Sequence, residues 1–207
     1  MSTTRPTLKD WNVEKNDLLD QLMPRFSATE VPRDKRVRIE FDRHIATMVK
    51  EHANQRALSH SKYPDRDSRN HLTGFVGEVG VAVYWDGTVD TRVLDDYEGD
   101  SGYDVTIPSL RGQGRDRVQV KTTQDLYDPE RPIDRDNLSN FDVAVLCCTD
   151  VPESYVEIVG YVSSRTLKLM CDGYGRSGPV LREEVLHPII GESIPPTDVR
   201  KVLRNQI

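Results

Sequence analysis

The clearest alternation of apolar and polar residues lies between Gly102 and Thr123. Val105 and Ile107 alternate with Asp104 and Thr106; Val118 and Val120 alternate with Gln119 and Lys121. A period of two is that of a half-buried strand. The intervening segment, Pro108 to Asp116, holds a Pro, two Gly and two Arg, a turn composition. The pattern predicts a β-hairpin. Alternation then places Gln119 and Lys121 on one face of its second strand.

Helical spacing is clearest from Phe41 to Leu58, where Ile45, Met48, Val49 and Ala53 share a face. A weaker set, Trp11, Leu18, Leu19 and Leu22, predicts a helix within Trp11 to Met23. Two patterns compete from His71 to Trp85. Val79, Val81, Val83 and Trp85 alternate as in a strand, whereas Phe75, Val79, Ala82 and Val83 fit one helical face. The valines tip propensity toward a strand, although Gly77 and Gly80 would let a helix approach a sheet closely. Phe141 to Cys148 is a near-continuous apolar run, typical of a strand covered on both faces. Tyr155 to Val162 predicts another strand. Ser163 to Met170 predicts a short helix capped by Ser163 or Ser164. A short strand at Thr91 to Leu94 and a final helix at Thr197 to Arg204 complete the pattern, with polar loops at Ser59 to Asn70 and Asp172 to Gly178. The order predicts an α/β layer around a mixed sheet.

The chain has 207 residues, enough for one domain with an ordinary core. The pattern divides it into an N-terminal arm at 1–36, a domain at 37–190 and a C-terminal tail or helix at 191–207. No apolar run nears the roughly 18 residues of a membrane span, and no signal peptide opens the chain. Cys147, Cys148 and Cys171 lack zinc-like spacing and read as reduced cysteines, so the expected location is cytoplasmic, in a prokaryotic or virus-infected cell. The net charge of −6 argues against broad electrostatic coating of nucleic acid but permits a local basic groove. Arg outnumbers Lys and Asp outnumbers Glu, a bias shared by salt-adapted proteins and high-GC genomes.

These limits sharpen a few polar positions. Glu78 is the single charge in the run from Leu72 to Trp85. A carboxylate there is costly to bury unless paired or bound to a cation, and exposure at the element's edge is the plain alternative. If Asp104 projects to the side of Gln119 and Lys121, a carboxylate, an amide and an ammonium converge. A salt bridge on an exposed sheet face is the plain reading of that group. His44, His52 and His60 recur every eight residues, which drifts around a helix and makes a poor metal site.

Gly-Phe-Val-Gly-Glu78, then Gly-Tyr-Asp104, then Gln119-Val-Lys121, then an apolar strand opening with Asp142, resembles the PD-(D/E)XK nuclease superfamily, in particular its small phage- and archaea-associated members. The resemblance spans about Phe41 to Leu169. Tyr103 stands where Pro is usual and Gln119 where Asp or Glu is usual. The resemblance implies a restriction-endonuclease-like mixed sheet of four to five strands flanked by helices. It implies a Mg²⁺-dependent deoxyribonuclease, with Mn²⁺ able to substitute, acting on DNA; it leaves a homodimer open and implies no membrane role. By the resemblance, Glu78, Asp104, the Gln119 side chain and the Val120 carbonyl would hold the metal. Lys121 would orient the attacking water or stabilise phosphate charge. Glu78 and Asp104 together bring two negative charges, which match one divalent ion.

Weaker nucleic-acid candidates are Arg111, Arg115 and Arg117 around the hairpin loop, and Thr122 and Thr123 after Lys121. Loop solubility and strand-edge polarity explain them equally well. The run Arg33, Lys35, Arg36 and Arg38 could steer nucleic acid or form a solvated face. The competing function is a catalytically decayed nuclease fold that binds nucleic acid or serves structurally, with Gln119 as the sign of decay. A third is an interaction module with no nucleic-acid role.

Overall fold

Val37 and Ile39 alternate with Arg38 and Glu40, and that short alternation opens the sheet as β1 (Val37–Glu40). The computed structural model describes residues 33, 36–59, 68–90, 102–110, 112–150, 154–174, 178–189, 194–195 and 199–200. The sequence-based expectations for Trp11 to Met23 and Thr91 to Leu94, and the candidate Arg111, lie outside them, as does most of Thr197 to Arg204. All described residues belong to one unit, Val31–Ile207.

Two helices follow β1, α1 (Arg43–Ser59) and α2 (Ser68–Tyr84). The Asp42 side chain caps α1 by accepting the Ile45 N–H at 2.9 Å, and Ile45, Val49 and Ala53 form its buried stripe. The helix α2 corrects the strand reading of His71 to Trp85. Every residue from Phe75 to Val83 is buried, so the segment carries no amphipathic stripe to betray its period. The glycines explain the outcome. A Cβ at Gly77 would collide with Thr122 Oγ1, and one at Gly80 with Val156 Cγ1. The helix backbone therefore lies directly on the sheet, and this packing overrides the β preference of its valines.

The remaining elements are β2 (Thr88–Val89), β3 (Val105–Pro108), β4 (Arg115–Thr123), β5 (Arg131–Pro132), a 3₁₀ turn at Arg135–Ser139, β6 (Val143–Thr149), β7 (Tyr155–Ser163), α3 (Ser164–Tyr174), β8 (Val180–Leu181), a second 3₁₀ turn at Glu183–Val185, and β9 (His187–Pro188). Six strands form one mixed sheet in the order β1-β7-β6-β4-β3-β2; β9 adds to β7, and β5 pairs with β8 apart from it. The expected four to five strands become six because β1 and β2 extend the two edges. Among the described strands of this sheet only β4 and β6 pair in parallel. The expected hairpin is β3–β4, with Val105 opposite Val118 and Ile107 opposite Asp116.

The sheet is covered on both faces. Val118, Val120, Val143, Val145, Cys147, Val156 and Ile158 join α1 and α2 in one core. Ala144, Leu146, Cys148, Val159 and Val162 join Phe141, Leu167, Cys171 and Leu181 in the other. Strand β6 is buried at all seven positions because each face meets one of these cores. Ser163 accepts the Thr166 N–H at 3.1 Å and caps α3, which runs to Tyr174, four residues past its expected end.

Candidate active site

The parallel pairing of β4 with β6 fixes which side chains share a face. Gln119 pairs with Ala144, Lys121 with Leu146 and Thr123 with Cys148, all on the α3 side. Val118 and Val120 belong to the opposite core, with α2. The expectation that Gln119 and Lys121 project together therefore holds. Among the described residues Lys121 is half-buried and makes no ion pair.

Asp104 immediately precedes β3, and the Val105–Val118 register puts it opposite Gln119. Gly102 makes that approach possible. Its φ is 76°, and a Cβ there would press into the Asn140 side chain. The Asp104 backbone N–H then donates to the Val118 carbonyl at 2.8 Å, and its carbonyl accepts from Asp90 N at 2.8 Å. Its Oδ2 accepts from the Gln119 side-chain amide and, at 2.6 Å, from the Val120 N–H. Asp104 and Gln119 are each only 6% exposed. Two donors aimed at one oxygen offset part of the cost of burying the carboxylate.

Among the described residues this knot sits in a notch. Strand β3 starts at Val105, opposite Val118, while β4 continues to Thr123. Backbone groups alternate sides along a strand, so Val118, Val120 and Thr122 direct their N–H and C=O toward β3. Beyond Val118 no β3 residue pairs with that edge. The Asp104 carboxylate takes the Val120 N–H, and the Val120 carbonyl faces the same way. Two residues on, Arg131 Nε donates to the Thr122 carbonyl at 2.9 Å. Sequence reasoning missed this second cation, because an Arg-Pro pair in a polar segment carries no signal of its return to β4.

Glu78 belongs to α2, on the sheet face opposite that of Gln119 and Lys121, and is 8% exposed. On a helix, Glu78 and Gly80 lie on opposite sides of Gly77. Gly77 rests on Thr122 of β4 and Gly80 on Val156 of β7. Glu78 therefore occupies the flank turned from β7 toward β3. Gln124 Nε2, donating to Thr73 Oγ1 at 3.1 Å, ties the same helix to the end of β4. Among the described residues no three His, Cys, Asp or Glu side chains form a metal cluster. The Asp104 carboxylate, the Gln119 amide and the Val120 backbone lie together, and Glu78 is the carboxylate that α2 carries on the flank toward β3. The carboxylates and the carbonyl offer oxygen, the ligand type of hard divalent cations, and Gln119 would add its own with its amide turned over, so the residues fit Mg²⁺.

No family model, characterised protein or solved structure matches the chain.

The weaker candidates are mostly engaged elsewhere. Arg117 pairs with Asp142 at 3.2 Å, and that hydrogen bond holds its pKa above the usual guanidinium value. Arg115 donates to the Thr106 carbonyl at 3.0 Å. The Thr122 hydroxyl is buried without a hydrogen-bond partner, on the side where Gly77 rests, and Thr123 caps the turn by accepting the Asp125 N–H at 3.1 Å. Of the basic run, Lys35 lies outside the described residues, and the three arginines form a clasp. Arg33 pairs with Glu157 at 3.1 Å, Arg36 with Glu183 at 3.0 Å, and the Arg38 guanidinium lies 3.5 Å from the Tyr155 ring centre. His52 packs against the Phe75 ring.

Proposed function

We propose that the protein is a metal-dependent nuclease that hydrolyses DNA phosphodiester bonds, on a restriction-endonuclease-like fold of the PD-(D/E)XK kind. The observation that carries this reading is the notch. A buried carboxylate, an amide and a strand carbonyl converge where β3 gives way, with the Lys121 ammonium, which makes no ion pair among the described residues, on the neighbouring position of β4. The meander β2-β3-β4, followed by β6 parallel to β4, supports the same reading.

Glu78, Asp104, Gln119 and the Val120 carbonyl would hold one Mg²⁺, which supplies charge neutralisation at the phosphate and an acidified water. Lys121 stabilises the charge that grows on the phosphate and orients the attacking water. Asp104 is held before substrate arrives, because its hydrogen bonds come from β4 itself. One observation favours the second reading, a decayed fold that only binds: Gln119 presents an N–H, not its oxygen, to Asp104.

Incubation with plasmid, linear and branched DNA, in Mg²⁺, Mn²⁺ or EDTA, separates the two. The nuclease reading expects cleavage with either metal and none in EDTA. It expects a loss of about a hundredfold or more in Asp104→Asn and Lys121→Ala. Binding without cleavage under all conditions would leave the decayed fold.

A further inference from the structure

Tyr127 is 86% exposed, the most exposed of the large apolar side chains described. It stands four residues beyond β4, on a turn that its neighbours fix. Asp125 Oδ1 accepts the N–H groups of Tyr127 and Asp128, each at 3.0 Å, and Asp125 N donates to Thr123 Oγ1 at 3.1 Å. The two backbone donors hold the Asp125 carboxyl below the usual carboxylate range. Leu126 packs into the core on the α3 face, and its carbonyl accepts from Arg36 at 3.2 Å. That is the face carrying Gln119 and Lys121. The Arg33 guanidinium lies 5.6 Å from the Tyr127 ring centre and is anchored from behind by Glu157 and the Tyr155 hydroxyl. An exposed ring would normally lie down on apolar surface. This one is exposed on a hydrogen-bonded turn, although the Arg33 guanidinium lies over its ring.

We propose that Tyr127 and Arg33 form a stacking platform for unpaired bases, so that the preferred substrate is DNA with a single-stranded stretch. Aromatic rings and guanidinium planes stack on any base, which gives affinity without sequence preference. Base-paired duplex hides those faces. Tyr127 stands six positions beyond Lys121, so their Cα atoms lie no more than about 22 Å apart. One strand can therefore touch both. Asp128 adds a negative rim charge, and Asp125 is committed to its backbone donors. The platform's contribution to affinity is accordingly stacking more than phosphate attraction. The inference rests on the nuclease reading only for the cleavage of the bound strand, not for its binding.

The test is fluorescence anisotropy of the full chain in EDTA, with labelled oligothymidine and a blunt duplex of equal length. Wild type is expected to bind the single strand more tightly. Tyr127→Ala is expected to weaken single-strand binding about five- to hundredfold, with duplex binding unchanged. Tyr127→Trp is expected to restore it. The melting temperature should not move, since the ring is exposed. Equal single-strand affinity in wild type and Tyr127→Ala, or a wild-type preference for duplex, would overturn the inference. The two readings separate cleanly. Stacking-dependent binding without any Mg²⁺-dependent cleavage would overturn only the nuclease. Cleavage with a silent Tyr127→Ala would overturn only the platform.

Discussion

At the scale of residues, the site turns on one carboxylate oxygen. Asp104 Oδ2 satisfies both the Gln119 amide and the Val120 N–H in a buried notch. Removing it as Asp104→Ala leaves both donors unpaired and should cost about 1–3 kcal/mol, whereas Asp104→Asn keeps an acceptor and should cost less. Urea unfolding of the two variants checks the order. Gln119 is the other informative position. Gln119→Glu would set two carboxylates side by side and lower stability without metal, because like charges in a buried site repel. Mg²⁺ should then raise its melting temperature more than it raises that of wild type. A Gln119→Glu variant indifferent to Mg²⁺ would count against a cation at this place. The sequence made Asp104, Gln119 and Lys121 legible because strand alternation is a strict geometric rule. It could not reveal Arg131, whose approach to β4 depends on a long return through polar chain.

At the scale of elements, α2 teaches the most. Its valines suggested a strand, yet two glycines seat it on Thr122 and Val156. Gly77→Ala should therefore destabilise by about 1–3 kcal/mol through overpacking, despite alanine's better helix propensity. Gly74 lies in the same helix, and a Cβ there would meet nothing within 4 Å. Gly74→Ala should stabilise by about 0.5–1 kcal/mol. Opposite signs in one helix, read by urea unfolding, test its seating; equal signs would contradict it. The strands β4, β6 and β7 were readable because each is long enough for its pattern to stand out. Strand β1 was not, since four residues beside a basic run offer little pattern. Burial on every side erased the period of α2, so only the close approach of backbone to sheet could reveal it.

At the scale of the whole molecule, the α3 face is closed by a charged clasp. Glu157 is 3% exposed and meets Arg33, Arg36 and Arg38 from the first strand and its approach. Arg36 keeps Glu183, and Arg33 and Arg38 are partly open to water, so Glu157→Gln should cost about 1–3 kcal/mol. Cys148 lies in this interior, and Cys147 in the core on the other face of the sheet. Burial, then the neighbouring Glu157, pushes the Cys148 thiol up to about 12, and burial also raises Cys147. A raised native pKa stabilises the fold fully below the unfolded thiol value. That contribution fades as pH rises from there toward about 12. Alkylation of the native protein near neutral pH should therefore spare Cys147 and Cys148 until denaturant is added. Rapid native labelling would mean that the interior opens readily.

The central claim is that the notch at Asp104 holds one hard divalent cation, and metal titration by calorimetry tests it most directly. The expected result is one Mn²⁺ or Mg²⁺ per chain in the wild type and none in Asp104→Asn, with both proteins equally folded. No binding by the wild type, or undiminished binding by Asp104→Asn, would contradict it.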